Sequence, residues 1–290
     1  MTYNQFISDV ETGIRRNVKE KVTVNIHTVM KNNGKERQGI TICEEGINIS
    51  PTIYLEEYYE QYLQGEEFEQ IVDDIIQLYK KVRFEKPWTG NELQNFESVK
   101  RNVVCKLINF DKNVEMLKDM PYEPFLDLAI VCYVIFDLNI HGTAIMTVKN
   151  EHLKMWNISG EELIQLAKEN SYRLLPAEFR KMKDIIAEMT GIDTKEDDDF
   201  MYVLSNEQKS YGAVCMIYKK MLDIVALELK ENFYIIPSSV HEVIIIPESK
   251  SPEKSEIEKM VKEVNETQVE AEERLSDRVY YYNIKDRSLI

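Results

Sequence analysis

The stretch VTVNIHTVMKNNGKERQGITIC, residues 22–43, decides the fold class of this chain. Its first part alternates, with Val22, Val24 and Ile26 separated by polar residues, and this period of two predicts a half-buried strand. Asn33 and Gly34 form a dipeptide typical of tight hairpin turns, and GITIC then supplies the returning strand. The stretch therefore predicts an antiparallel hairpin.

Helical periodicity flanks this hairpin. Apolar residues recur at steps of three and four in the first eighteen positions, and the period becomes helical again after Tyr54. Gly65 lies where the glycine that ends a helix is expected. The chain combines hairpins with runs of helices and lacks the regular strand–helix alternation of a doubly wound sheet. We predict an α+β fold, with antiparallel hairpins and mixed sheets packed with helices.

The remaining elements follow from the same patterns. Ser159 and Glu162 have the spacing of a capping box at the start of a helix. We predict strands in VVCKLINF, LAIVCYVIF and GTAIMTVKN, a helix in AEFRKMKDIIAEM, strand–turn–strand in FMYVLSNEQKSYGAVCMIY, a helix in MLDIVALELK, a charged helix in PEKSEIEKMVKEVNET and a terminal strand in DRVYYYNIKDRSLI.

A division of the chain is expected near Asn150, where a strand-rich section gives way to helices. It separates an N-terminal α+β half, residues 1–150, from a C-terminal α+β half, residues 151–290. The order strand, strand, helix occurs in residues 22–81 and again in 200–230, which leaves open that the two halves are similar.

Composition limits the partners and the compartment. The chain has 36 basic and 51 acidic residues among 290, a net charge of −15, so nucleic acid and anionic membranes are not expected partners. No signal peptide is visible, and the longest apolar stretch is interrupted by Asp127 and Asp137. Four separate cysteines with apolar neighbours predict buried thiols in a reducing compartment, not a disulfide framework: Cys43, Cys105, Cys132 and Cys215. We expect a soluble cytoplasmic protein.

Several stretches of the chain resemble one bacterial family of unknown function, catalogued under the number 5688. They include NISPTIYLEEYYEQYLQG, FLDLAIVCYVIF, LLPAEFRKM, MYVLSN, YGAVCMIY and RLSDRVYYYN. The resemblance spans nearly the whole chain and implies one family unit, of a kind typical of anaerobic Gram-positive gut bacteria. It implies no reaction, ligand or site residue.

The segment FYIIPSSVHEVIIIP, residues 233–247, is the first candidate site. It places Ser238, Ser239, His241 and Glu242 between two apolar runs, so a hydroxyl nucleophile, a base and a carboxylate occur together. Catalytic triads usually draw these groups from separate parts of a fold, and no G-x-S-x-G elbow surrounds either serine. Ser239 and Glu242 also have capping-box spacing, so the favoured interpretation is one helical turn that joins two strands.

No cofactor or metal site is predicted. The histidines lack metal-site spacing, and Asp197, Asp198 and Asp199 lack the alternation and the glycine of a calcium loop. No glycine-rich phosphate motif occurs among the 10 glycines. The four histidines are His27, His141, His152 and His241.

Three functions remain open at this point. The first is a non-enzymatic accessory or regulatory protein that binds an unknown protein partner, because the chain is acidic and rich in tyrosine but lacks a convergent catalytic set. The second is a hydrolase that uses Ser239 or Ser238 with His241 as base. The third is an acidic mimic of nucleic acid. The sequence also permits a homo-oligomer.

Overall fold

The computed structural model describes residues 1–18, 21–47, 50–83, 93–139, 142–191 and 200–290. The chain groups into two compact units, one formed by residues 1–98 and 136–144 and the other by residues 99–135 and 145–290. Residue 150 lies in the second unit. The division into halves of similar architecture stays a prediction.

The first unit packs helices on one face of a three-stranded antiparallel sheet in the order β1-β2-β3. Phe6, Val10 and Ile14 of the first helix are fully buried against Ile40 and Ile75. The elements of this part of the chain are α1 (Tyr3–Asn17), β1 (Val22–Met30), β2 (Glu36–Glu44), β3 (Thr52–Tyr54), α2 (Glu56–Leu63), α3 (Phe68–Val82) and α4 (Phe96–Val99).

The predicted first hairpin is confirmed. The strands pair in one continuous register from Val22 opposite Glu44 to Met30 opposite Glu36. Asn33 has φ of 59° and Gly34 has φ of 70°, so the turn uses the left-handed backbone conformation that asparagine and glycine tolerate best. The buried face of β1 ends before Met30, which is 51% exposed although the alternation of the strand continues to it. Gly65, at φ of 102°, follows the end of α2 as predicted.

The second unit contains a six-stranded antiparallel sheet in the order β13-β12-β10-β11-β9-β8, and β6 pairs with β4, β5 and β7 in a second sheet. The remaining elements are β4 (Val103–Asn109), α5 (Val114–Leu117), β5 (Tyr122–Phe125), β6 (Leu128–Asn139), β7 (Gly142–Thr147), α6 (Asn150–Trp156), α7 (Gly160–Leu174), β8 (Ala177–Lys181), α8 (Met182–Thr190), β9 (Tyr202–Asn206), α9 (Met221–Leu229), β10 (Phe233–Ile236), β11 (Val243–Pro247), α10 (Lys254–Thr267), β12 (Tyr280–Asn283) and β13 (Ser288–Leu289).

The helix predicted in AEFRKMKDIIAEM begins later than expected. Residues 177–181 form strand β8 along the edge of β9, and the helix α8 starts only at Met182. Phe179 stacks on Tyr202 of β9 with ring centroids 5.0 Å apart. Pairing with a distant strand therefore overrides a helical local pattern, which tertiary context commonly does.

The prediction of a strand at YGAVCMIY is wrong. Gly212–Ile217 is a 3-10 helix, so the order strand, strand, helix is not repeated in residues 200–230. Tyr211 enters this helix with φ of 52°, a conformation that does not continue a strand. The predicted terminal strand is likewise two short strands, β12 and β13, with Arg287 at φ of 50° between them. The α+β class itself is confirmed.

Candidate functional site

The polar segment of residues 237–242 joins β10 to β11, which are neighbours in the six-stranded sheet. Residues 273–276 run beside it and bind its main chain. The N–H of Val240 donates to the carbonyl of Glu273 at 2.8 Å, and the N–H of Leu275 donates back to the segment at 3.1 Å. The segment is therefore a loop held from outside by a distant part of the chain.

Ser239 is 7% exposed and fixes the inside of this loop. Its Oγ accepts a hydrogen bond from the N–H of His241 at 3.0 Å, two residues ahead. The predicted helical turn is wrong, because residues 237–242 of the described chain contain no helical residue. Ser239 supports a turn of the kind serine forms with its own backbone, and no hydrogen bond from Glu242 completes a capping box in the described chain.

Both ring nitrogens of His241 face groups from other segments. Nδ1 accepts from the main-chain N–H of Tyr211 at 3.3 Å, and Nε2 lies 3.5 Å from Oε1 of Glu273. Because Nδ1 is an acceptor, the proton of the neutral ring lies on Nε2, towards the carboxylate. The imidazole also stacks on the Tyr211 ring, with centroids 5.6 Å apart.

This geometry does not pair a serine with a base. A serine nucleophile needs its Oγ at hydrogen-bonding distance from an imidazole nitrogen. Within the described residues, neither Ser238 nor Ser239 makes a side-chain hydrogen bond to the His241 ring. The structure does place a carboxylate beside His241, as a triad requires, but it is Glu273 and not Glu242.

A column of side chains continues from His241. Nζ of Lys106 lies 4.3 Å from the centroid of the Tyr211 ring, and the Tyr133 ring packs 5.5 Å from Tyr211. The column thus runs from a cation through two rings to the Glu273 carboxylate. Sequence reasoning missed Lys106, Tyr211 and Glu273, because they lie 30 or more residues from His241 along the chain.

Next to Tyr211, the chain passes so close to other segments that residue 212 must be glycine. A Cβ atom at this position would lie 2.2 Å from Oγ of Ser205, 2.5 Å from the carbonyl oxygen of His241 and 2.6 Å from the N of Asn206. Two of these are main-chain atoms, which cannot move aside as the end of a flexible side chain can. Ser205 Oγ also donates to the His241 carbonyl at 2.8 Å. This hydrogen bond fixes the distance between two of the atoms that surround Gly212.

A second polar cluster is buried in the same unit. Ser276 Oγ donates to Oδ2 of Asp127 at 2.7 Å, and the Tyr280 hydroxyl donates to Oδ1 at 2.6 Å. Ser276 is 1% exposed, and burial raises the pKa of Tyr280 far above its usual value. The side chains satisfy one another's hydrogen bonds, and the Asp127 carboxylate is only 10% exposed, so the cluster stabilises the fold.

The first unit has a polar cluster beside a shallow depression. The Tyr79 hydroxyl donates to Oε1 of Glu44 at 2.5 Å, and Nη1 of Arg83 donates to the same oxygen at 2.6 Å. The hydrogen bond from Tyr79 lowers the pKa of Glu44, and Arg83 lowers it further. The depression, about 160 Å³ of space that includes open solvent, encloses no room for a ligand.

The cysteines and histidines form no metal site in the described residues. All four thiols are free, and burial raises the pKa of Cys105 to about 11 and that of Cys215 to about 12. Cys43 is partly exposed, so the prediction of four buried thiols is wrong for this residue. Nδ1 of His152 accepts from the N–H of Lys149 at 2.8 Å. The predictions for His141 and for residues 197–199 lie outside the described residues.

An exposed apolar face lies on α9. Met221, Leu222 and Val225 are buried, yet Ile224 is 50% exposed and Leu227 is 76% exposed on the other side. Exposed lysines flank the helix at both ends. The sequence KKMLDIVALELK indicates the exposed apolar face, because it has more apolar residues than one face of a helix can hold. The lysines are Lys219, Lys220 and Lys230.

Comparison with known proteins places the chain in a family. No helix in the described part of the chain has the length and apolar character needed to cross a membrane. No curated protein and no solved structure matches the chain. The family model described as "Family of unknown function (DUF5688)" matches residues 3–284, nearly the whole chain, which confirms the resemblance seen in the residues. The chain therefore belongs to this family of unknown function.

Proposed function

We propose that this chain is a non-enzymatic accessory or regulatory protein that binds a partner protein through the exposed face of α9. The observation that carries the proposal is the pair Ile224 and Leu227, which are apolar and exposed on a helix whose opposite face is already buried. Exposed apolar side chains gathered on one element are typical of interaction surfaces. The histidine column supports the same proposal, because among the described residues the His241 imidazole contacts Tyr211 and Glu273 and no serine side chain.

Two side chains are enough to matter for binding. Burial of a fully exposed leucine or isoleucine contributes about 1.5 to 3 kcal/mol, and the partial exposure of Ile224 reduces its share. A few well-buried anchors carry most of the free energy of typical protein interfaces. Leu227 is the anchor we expect, because it has the greater exposure of the two.

The lysines define the chemistry of the partner. Lys219 and Lys220 precede the first turn of α9, where the helix dipole disfavours positive charge, so they do not stabilise the helix by this effect. Three exposed lysines, Lys219, Lys220 and Lys230, form a rim at the two ends of the apolar face, and the exposed Glu228 lies within the same helix. This rim fits a partner whose apolar contact surface is edged with aspartate or glutamate.

The test compares two matched variants. Leu227→Glu places a charge in the proposed contact, and Leu63→Glu makes the same change at another exposed leucine, 64% exposed, on α2. Proteins captured by each tagged variant from the native bacterium are identified by mass spectrometry. A protein captured by the wild type is then purified, and its affinity for each variant is measured by calorimetry.

The expected result is a partner that keeps its affinity for Leu63→Glu and binds Leu227→Glu at least tenfold more weakly, a change of about 1.4 kcal/mol. The affinity should also fall as salt is added, because the lysine rim contributes electrostatic attraction. Equal affinity of the two variants, or capture of no protein by the wild type, would reject α9 as the binding surface.

A hydrolase is the second candidate, and the observation in its favour is the Glu273 carboxylate 3.5 Å from Nε2 of His241. The geometry for catalysis is incomplete, since Ser239 Oγ is already engaged by the main chain at 3.0 Å. We expect no covalent labelling by a serine-reactive fluorophosphonate. Stoichiometric labelling of Ser238 or Ser239 would instead establish the hydrolase.

A further inference from the structure

Cys105 of β4 and Cys132 of β6 lie directly opposite each other on neighbouring antiparallel strands. The N–H of Cys105 points away from β6, since it donates to Oγ of Ser171 on α7 at 2.9 Å. The carbonyl of Cys132 points away from β4, since it accepts from the N–H of Val148 at 3.0 Å. The two cysteines therefore form a pair without main-chain hydrogen bonds between them, the kind of pair in which opposite side chains lie closest.

The geometry of such a pair brings the two thiols close to the spacing of a disulfide. The Cα atoms of these pairs are about 4.5 Å apart, within the range of roughly 4.4 to 6.8 Å found across disulfides. Their Cβ atoms are about 4.5 to 5.5 Å apart, whereas a disulfide needs about 3.5 to 4.5 Å, so the strands must close slightly. A disulfide under this strain is more easily reduced than a relaxed one.

The thiol of Cys105 also takes part in the contact between β4 and α7. Its Sγ lies 3.2 Å from Oγ of Ser171, and the hydroxyl hydrogen of Ser171 is donated to the carbonyl of Ala167 at 2.6 Å. The S–H of Cys105 is therefore the donor in this contact. A disulfide has no such hydrogen, so its formation removes one of the contacts that hold α7 at the edge of β4.

We propose that Cys105 and Cys132 form a redox switch, in which a hydroperoxide oxidises them to a disulfide and a small thiol reduces the disulfide again. One thiolate attacks hydrogen peroxide, the O–O bond breaks, and a sulfenic acid and water form. The other thiol attacks the sulfenic sulfur, the S–O bond breaks, and the S–S bond forms as a second water leaves. Two thiols thus lose two hydrogen atoms, and one hydrogen peroxide becomes two waters.

Burial sets the conditions for this reaction, because both cysteines are 0% exposed. It raises the pKa of Cys105 to about 11 and raises the pKa of Cys132 well above its usual value. The thiolate is the reactive form, so oxidation is slow near neutral pH and accelerates as the pH rises. The switch uses no residue of α9, so it stands or fails independently of the proposed function.

The test uses two variants that differ at one cysteine. The first carries Cys43→Ser and Cys215→Ala, which suit a partly exposed and a buried position, and keeps only the opposed pair. The second adds Cys132→Ala and so shows every effect of peroxide that does not need the pair, including methionine oxidation. Each folded protein is treated with hydrogen peroxide, blocked with iodoacetamide, digested without reduction and analysed by mass spectrometry.

We expect the first variant to yield peptides joined by a disulfide between Cys105 and Cys132, with a mass lower by two hydrogen atoms. Dithiothreitol should restore both thiols without denaturation, and oxidation should be faster at alkaline pH than at neutral pH. Amide hydrogen exchange in α7 should rise on oxidation of the first variant and stay unchanged in the second, because only the first loses the contact with Ser171 by forming the disulfide.

Four results would overturn the proposal. They are no linked peptide from the folded first variant and the wild type, a linked peptide that forms only in urea, a disulfide that dithiothreitol cannot reduce in the folded protein, and unchanged hydrogen exchange in α7 after oxidation. If either variant does not fold, the linked peptides and hydrogen exchange of the oxidised wild type decide the matter.

Discussion

Two links between antiparallel strands, the turn at Asn33 and Gly34 and the segment of residues 237–242, are held by different kinds of contact. The first is closed by its own residues, with the Lys31 N–H bonded to the Lys35 carbonyl across the turn. The second is closed from outside by residues 273–276 and by the approach of the 3-10 helix at Gly212.

The difference shows what a polar residue does in each place. In the first link, Asn33 and Gly34 both take the left-handed backbone conformation, at φ of 59° and 70°. In the second, the imidazole of His241 contacts Tyr211 and Glu273, which the fold brings from other segments. Substitutions should therefore act through backbone strain in the first link and through packing in the second.

The largest effect is expected at Gly212, where the second link is most crowded. Gly212→Ala places a methyl group against the His241 carbonyl at 2.5 Å and the Asn206 nitrogen at 2.6 Å. Overpacking of this kind typically costs about 1 to 3 kcal/mol, and we expect a loss in free energy of unfolding of about 3 kcal/mol because main-chain atoms must move. Urea denaturation measures it.

Gly160→Ala is the matched control in the same unit. Its added Cβ would meet only ordinary contacts at 3.5 Å and 3.7 Å, and Gly160 is the first residue of α7. Alanine reduces the conformational freedom of the unfolded chain, so stability should rise by a few tenths to about 1 kcal/mol. Similar losses for both variants would show that Gly212 is not a special point of close approach.

The fold was predictable where a signal is local. The hairpin of β1 and β2, the capping box at Ser159 and the glycine after α2 were all predicted, because each depends on residues a few positions apart. The strand β8 was predicted as helix, since only its partner β9 distinguishes the two. The 3-10 helix at Gly212 was predicted as strand for the same reason.

The candidate site was predictable only in part. Ser239 and His241 do share one turn, but the role of His241 depends on Tyr211 and Glu273, which come from other segments. No pattern in the sequence joins residues that far apart. The apolar face of α9 did have a local signal, an excess of apolar residues over one helix face, and this was read only as a helix.

At the first link, Gly34→Val tests whether backbone conformation alone matters. Apart from its two chain neighbours, no atom of the described residues lies within 4 Å of the position that a Cβ would take, so the substitution causes no clash with them. A β-branched residue at φ of 70° is nevertheless strained, and we expect a loss of about 1 to 2 kcal/mol in chemical denaturation. Gly34→Asn should cost less, because asparagine tolerates this conformation. An unchanged midpoint for Gly34→Val would contradict the role given to the turn.

Ser239→Ala tests the hydrogen bond within the second link, the segment of residues 237–242. The substitution removes the acceptor of the His241 N–H in a place where Ser239 is 7% exposed, and a buried donor without a partner is destabilising. We expect a loss of about 1 kcal/mol, within the range of 0.5 to 2 kcal/mol known for lost serine caps. Ser238→Ala is the control, since its hydroxyl makes no hydrogen bond in the described chain, and it should change stability by less than about 0.5 kcal/mol.

The smallest effect is expected for His241→Gln. The imidazole is 28% exposed and its Glu273 partner 46% exposed, and ion pairs with this much solvent access contribute little. The glutamine carbonyl can also accept from the Tyr211 N–H, so we expect a loss of about 0.5 kcal/mol or less in urea denaturation. A catalytic segment would behave in the opposite way: Ser239→Ala and His241→Gln would both keep wild-type stability, and both would abolish the same fluorophosphonate labelling, because a nucleophile and its base act as one unit. Denaturation and labelling of the two variants side by side therefore separate a packed loop from a catalytic one, and the contacts of Ser239 favour the packed loop.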